Sequence, residues 1–292
     1  MCIRDSYKDC ISYAAGKDTF ILLDPPYKGT ENYYQKACFG SYEHAKLFEF
    51  MNGIHEKHNG DCKFIITYNN DPYIKNLADK YGFAVCYPQG EQDKKGKNCW
   101  NVGYPFQADM TIDDINFLCD LALYLQKNYR LSPHNTFCTG YSNGGEMCYL
   151  LAYKRPDIFT AVAPVAGLTL EWMYRELETN RPIPLFEIHG TEDKTSMWNG
   201  DPNNEGGWGK YIAVPIAVNY WAIQNRCTHE ITDTIASIDS LSNHTIISHK
   251  YVNGINRNEV WLYEIKGGKH SWGEKDLNTS EHIWLFFSKF VR

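Results

Sequence analysis

The chain has 292 residues, 43% of them hydrophobic and 22% charged, with a formal net charge of −6, which is enough sequence for one large domain or two small ones. The mild acidity and the lack of a basic run argue against nonspecific nucleic-acid binding, and no apolar stretch approaches the roughly 20 residues that span a bilayer. Ten cysteines are spread without C-x-x-C or other metal-type pairing, and the polar run around His55 and His58 reads as a solvated helix end, so no metal site is read; no cofactor is expected. Cys86, Cys119, Cys138 and Cys148 lie in apolar patterns and read as buried thiols, while Cys99, beside Trp100, is the candidate for a disulfide. Residues 1–6 are polar with no apolar core segment after them, so no signal peptide is read.

In chain order, an apolar run at residues 20–23 leads into Asp24-Pro25-Pro26-Tyr27, the pattern of a Pro-Pro turn at a strand end. A second short apolar strand is read at residues 63–68, followed by a helix over 72–81, and Phe83 opens another strand. Ile112, Ile115, Leu118, Cys119, Ala122 and Leu125 recur at helical spacing, which predicts a helix over 112–129 with Thr111 as its N-cap. Asp113 and Asp114 then sit in the first turn, where negative charge is favourable. Residues 161–164 read as a short buried strand and 195–207 as a loop. An outer or cap helix is read over 208–223, where Pro215 must occupy the first turn or break the helix. A closing helix over 281–290 should bury Ile283, Trp284, Phe286 and Phe287.

The most informative stretch is the apolar run from Thr136 into Gly140-x-Ser142-x-Gly144, followed by a helical pattern. Strand, tight turn and helix with a serine at the apex lift a hydroxyl clear of a sheet, and the N–H of Asn143 points where an oxyanion would form. Residues 184–189 form a strand-like run into Gly190-Thr191-Glu192-Asp193, and residues 259–265 form another into Gly267-Gly268-Lys269-His270. Taken singly, Asp193 reads equally as a turn residue, His270 as a surface-loop histidine and His189 as a structural strand-end residue. Together, each beyond a strand end and in the order Ser142, Asp193, His270, the three have the makings of a nucleophile, an acid and a base for acyl transfer.

With these motifs, residues 77–292 resemble the esterase family of α/β-hydrolases that includes polyhydroxybutyrate depolymerases and feruloyl or acetylxylan esterases. The matching pieces are Tyr87-Pro88-Gln89-Gly90, Cys99-Trp100-Asn101-Val102-Gly103, Gly140 to Gly145, His189-Gly190-Thr191-Glu192-Asp193 and Gly267 to Trp272. The resemblance implies an α/β fold, a mostly parallel sheet with helices on both faces. It also implies a serine esterase acting on a small-molecule or polymer ester, with no nucleic-acid partner and no membrane, and an intact enzyme that is secreted or periplasmic. Trp100, Tyr141 and Trp272 are candidate substrate-binding residues beside Ser142, Asp193, His270 and the oxyanion donor Asn143. Trp198 and Trp208 fall on loops flanking the same site, and core packing is the competing reading for each tryptophan.

The N-terminal strands depart from the family. The strand that ends in His-Gly and supplies a second oxyanion N–H has no counterpart upstream of Phe83. That strand lies between the Phe83 and Thr136 strands in the usual order, a slot that residues 63–68 are suited to fill. Residues 7–76 resemble instead a fragment of the Dam-like adenine-N6 DNA methyltransferases. In that resemblance Asp24, Pro25 and Pro26 would hold an adenine amino group and Tyr27 would stack on the flipped base. The glycine-rich cofactor loop of that family is missing, so this motif is expected to be inactive. Residues 1–6 resemble a translated sequencing adaptor. The expectation is an N-terminally truncated esterase joined near residues 70–77 to a foreign βαβα segment that completes the sheet. Its alternatives are a methyltransferase remnant or a catalytically impaired scaffold.

Overall fold

The computed structural model describes residues 63–67, 81–94, 96–179, 181–239 and 241–292. The expectations for residues 1–6, for Asp24-Pro25-Pro26-Tyr27, for His55 and His58, for the junction near residues 70–77 and for all but the last residue of the 72–81 helix lie outside the described residues.

The described strands form one eight-stranded sheet. They are β1 (Lys63–Thr67), β2 (Phe83–Cys86), β3 (Thr136–Tyr141), β4 (Ala161–Val165), β5 (Leu185–Gly190), β6 (His229–Ala236), β7 (Thr245–Val252) and β8 (Val260–Lys266). Their spatial order is β2-β1-β3-β4-β5-β8-β7-β6. The first six in that order are parallel, and β7 and β6 add an antiparallel hairpin at one edge. β1 pairs with β2 on one side and with β3 on the other, Ile65 lying opposite Val85 and Phe137. It therefore fills the slot between the Phe83 and Thr136 strands.

The central strands β3, β4 and β5 are buried along their whole length apart from Tyr141, as parallel strands covered on both faces must be. Alternate side chains go to opposite cores. Cys138, Val162 and Leu185 join one cluster with α1 (Asp114–Tyr129), α2 (Asn143–Lys154) and α4 (Val214–Gln224). Phe137, Ala163 and Phe186 join the other, which α5 (Thr279–Ser288) closes with Ile283, Trp284, Phe286 and Phe287. The short helix α3 (Glu171–Glu176) follows β4.

Two element starts differ from expectation. The N-cap of α1 is Asp113, not Thr111: its Oδ1 accepts the Asn116 N–H at 3.1 Å. A carboxylate able to reach the N3 amide outcompetes the threonine two residues earlier. Its neighbour Asp114 turns inward, is buried, and accepts the Asn101 N–H at 2.6 Å. Likewise α4 begins only at Val214, with Pro215 in its first turn, where a proline's missing N–H costs nothing. The hairpin β6–β7 has no counterpart in the expected elements. Every residue of β6 is exposed or half-exposed, so it carries no apolar alternation to read. Cys99 is a free thiol, its Sγ lying 3.4 Å from Gln107 Nε2. Among the described residues, no helix is long and apolar enough to cross a membrane.

Candidate active site

Among the described strands the order reverses between β1 and β3. From β1 the chain continues outward to β2, whereas β3 starts the march to the other edge. Open α/β sheets bind ligands in the crevice outside the carboxyl ends of the strands at such a reversal, and Ser142 stands there, directly after β3. Its backbone has φ 54° and ψ −120°, a conformation costing a non-glycine residue about 1–3 kcal/mol unless its surroundings impose it. Those surroundings are visible. The Ser142 N–H donates to the Val165 carbonyl at 2.9 Å, and the Ser142 carbonyl accepts the N–H groups of Gly145 and Glu146. Gly145 is required at the crossing, because a Cβ there would lie 2.7 Å from the Gly167 Cα.

Two further strand ends bring the partners to this point. Asp193 follows β5, and its buried Oδ1 accepts the N–H groups of Thr195 and Ser196, both at 2.8 Å. His270 follows β8 on a loop laced to the Asp193 loop. The Glu192 N–H donates to the Gly268 carbonyl and the Gly267 N–H to Thr191 Oγ1, both at 2.9 Å. The loops touch so closely that a Cβ on Gly190 would lie 2.3 Å from the Gly268 carbonyl oxygen. As a result His270 Nε2 lies 3.0 Å from Ser142 Oγ, and His270 Nδ1 lies 2.7 Å from Asp193 Oδ2. A hydroxyl, an imidazole and a carboxylate in this row have the geometry of a base-activated nucleophile.

The remaining candidates divide. Tyr141 is half-buried beside the site, its ring 4.8 Å from that of His270, and burial pushes its phenol up. Asn143 opens α2, where the first N–H groups have no intrahelical acceptor. Its side chain clamps the loop opposite, Oδ1 accepting the Trp100 N–H at 2.6 Å and Nδ2 donating to the Trp100 carbonyl at 3.1 Å. Trp100 and Trp272, expected as substrate-binding residues, are buried instead. Trp100 is 2% exposed and Trp272 5%, one in each core cluster, because core packing claims the large apolar surface of an indole. Trp198 lies edge-on to His189, and Trp208 packs on Tyr104 and Phe106. A separate cleft of about 220 Å³ is lined by Gly103, Pro105, Leu170, Trp172 and Lys210 among others, and no member of the Ser142 row lines it.

Three residues beneath the site were not anticipated. Gln107 holds the Trp100 loop from within, accepting the N–H groups of Val102 and Tyr104 and donating to the Trp100 carbonyl. Glu146 is buried under the turn, accepting the Tyr104 O–H at 2.9 Å and the Leu168 N–H at 3.0 Å. Glu187 is buried in the middle of β5, accepting the Tyr149 O–H at 3.0 Å and the Gly167 N–H at 3.3 Å. A charge inside an otherwise apolar strand or helix face was the available signal for both glutamates.

Burial raises the Glu146 carboxyl well above its ordinary value of 4.5, so folding takes up a proton between the unfolded and the raised value. The stability tied to that proton is complete below the unfolded value and is lost as pH rises through the folded one. The amide of Glu146→Gln can accept from Leu168 and donate to Tyr104 without titrating. The variant should therefore match the wild type near pH 4 and exceed it increasingly as pH rises from the unfolded toward the raised value, by up to about 1.4 kcal/mol per pH unit. Thermal melts of both proteins across that range check this, and parallel curves would refute it.

Residues 49–176 match the family model described as Esterase PHB depolymerase. That match is under half of the chain, and it takes in β1, upstream of residue 77. Feruloyl esterase B of Piromyces equi is 28% identical over 214 residues, 72% of this chain and 37% of that protein. A probable acetylxylan esterase A of Aspergillus clavatus is 35% identical over 104 residues, 35% of this chain and 32% of that protein. The chain thus spans about a third of the length of these curated relatives. Among solved structures, an acetyl xylan esterase from Aspergillus awamori superposes with a TM-score of 0.53 at 16% identity, covering 79% of this chain and 90% of that one. At that identity the likeness shows the fold, which is α/β.

Proposed function

We propose that the chain is a serine carboxylic-ester hydrolase working through an acyl-enzyme. The observation that carries this reading is the continuous row Ser142 Oγ, His270 Nε2, His270 Nδ1 and Asp193 Oδ2, with separations of 3.0 and 2.7 Å. In this reading His270 takes the Ser142 proton as Oγ attacks the ester carbonyl, and Asp193 holds the imidazole in the tautomer that leaves Nε2 free to accept. The tetrahedral oxyanion forms against the Asn143 N–H at the positive end of α2. Collapse expels the alcohol, which receives the proton from His270. Water activated by the same imidazole then releases the acid from Ser142. No step calls for a metal or an organic cofactor.

For the substrate we propose feruloyl or acetyl esters of plant polysaccharide, or a polyhydroxyalkanoate. The names of the similar proteins and of the matching family support this choice. The half-buried Tyr141 ring against His270 supports a wall for the bound acyl or alcohol group. A fluorophosphonate probe tests the nucleophile directly. Loss of p-nitrophenyl acetate turnover should track one equivalent of label on the peptide carrying Ser142. Full turnover with Ser142 blocked, or label elsewhere, would overturn the assignment.

A further inference from the structure

The acid of the row is itself backed by a second, fully buried histidine. His189 ends β5 and is 1% exposed. Its Nε2 lies 2.7 Å from the Ser196 carbonyl, and its Nδ1 lies 2.8 Å from Glu187 Oε1. A carbonyl oxygen only accepts, so Nε2 carries a hydrogen. Glu187 already receives the Tyr149 O–H and the Gly167 N–H, and donors converging on a carboxyl group favour its ionised form, which can only accept from the ring. Nδ1 must then carry a hydrogen as well. The Nε2 side that holds Ser196 also lies 3.7 Å from Asp193 Oδ2, the oxygen that faces His270.

We infer that His189, doubly protonated between Glu187 and the Ser196 carbonyl, is a positioning residue that holds the Asp193 carboxylate against His270. Ser196 ties the two together: its carbonyl is pinned by His189, and its N–H donates to Asp193 Oδ1. Burial alone would lower the His189 imidazole, but the Glu187 carboxylate outweighs it and the group lies above its ordinary value. Burial raises Glu187 too, chiefly by desolvation; the hydrogen bonds place the shared proton on the ring. The ionisable groups around this pair are Glu187 on β5 itself, Asp193 from the following loop, and Tyr149 and Glu146 from α2. Burial raises both α2 groups. His270 faces Asp193 and the Tyr141 ring.

This inference rests on the esterase reading for its kinetic consequence but not for its protonation state, and the experiment separates the two. Side-chain ¹⁵N NMR of the whole protein should show both ring nitrogens of His189 protonated from pH 6 to 8, the signals being assigned by their loss in His189→Gln. One bare ring nitrogen would overturn the inference, with or without turnover. In p-nitrophenyl acetate hydrolysis, His189→Gln keeps a donor toward Ser196 but removes the cation near Asp193. The Asp193 charge is then less offset, so the acidic limb of the kcat/KM profile should move up by about half to one pH unit. The maximum should fall about ten- to a hundredfold. Glu187→Gln, which neutralises the same pair, should move the limb in the same direction. A His189→Gln profile that overlays the wild type after scaling would mean that His189 only supports the fold. A wild-type chain without turnover would remove the esterase reading, and the ring-nitrogen titration would still decide the inference.

Discussion

Ser142→Ala should reduce ester hydrolysis to background while leaving the fold intact. In the proposed chemistry Ser142 forms the only covalent bond to the acyl group, and removing the nucleophile of such a triad costs on the order of 10⁶ in kcat. The backbone that presents the residue does not depend on the hydroxyl. Its strained φ of 54° is imposed by the Val165 carbonyl, by the two amides of α2 that bond to the residue 142 carbonyl, and by the close crossing at Gly145. The melting temperature should therefore stay within a few degrees of the wild type. Initial rates with p-nitrophenyl acetate, measured beside a thermal melt, check both halves. A variant that is folded and keeps a hundredth of the wild-type rate would rule out Ser142 as the nucleophile.

Asp193→Asn should cost about 10⁴ in kcat, and the reason is specific to the hydrogen bonds around it. Oδ1 accepts from the Thr195 and Ser196 amides, so the asparagine oxygen must take that place and its NH₂ must replace Oδ2. That NH₂ then donates to His270 Nδ1, which becomes the acceptor, and the ring's hydrogen moves to Nε2. An Nε2 that already carries a hydrogen cannot take the Ser142 proton. The same NH₂ also faces the Nε2–H of His189, 3.7 Å from the Oδ2 position. Steady-state rates of the purified variant decide the matter, and a loss smaller than tenfold would show that Asp193 does not orient His270.

The ends of β3, β5 and β8 explain why so much of the site was legible. Each strand is mainly apolar, and each hands its chain to a glycine-bearing turn that carries one polar residue of the row. Reading those three runs therefore placed Ser142, Asp193 and His270 at one edge of one sheet. The supporting layer offered a weaker signal, a lone glutamate within each apolar pattern. Glu187 and Glu146 are ordinary surface residues by type, and their burial depends on Tyr149, Gly167, Tyr104 and Leu168, which lie 20 to 42 residues away in sequence. Trp100 and Trp272 misled because nearness along the chain to a motif says nothing about the side to which a ring turns. Asn143 and Gln107 fix the Trp100 backbone, and the Trp100 ring goes inward from there. The hairpin β6–β7 escaped because a solvated edge carries no hydrophobic signature.

The strand order also governs when the row of Ser142, His270 and Asp193 comes into being. β8, the last strand in the chain, enters between β5 and β7, so until it arrives one whole side of the buried β5 stands without a pairing partner. His270 rides on the turn after β8 and is 128 residues from Ser142. Contacts of that separation close late in folding, because the entropy of the intervening loop must be overcome first. A nascent or truncated chain ending before β8 would hold Ser142 at its turn and Asp193 beyond β5, yet would expose an unpaired apolar edge that other chains can pair with. Completion of the row and protection from misassociation are thus delivered by the same late event, the insertion of residues 260–266.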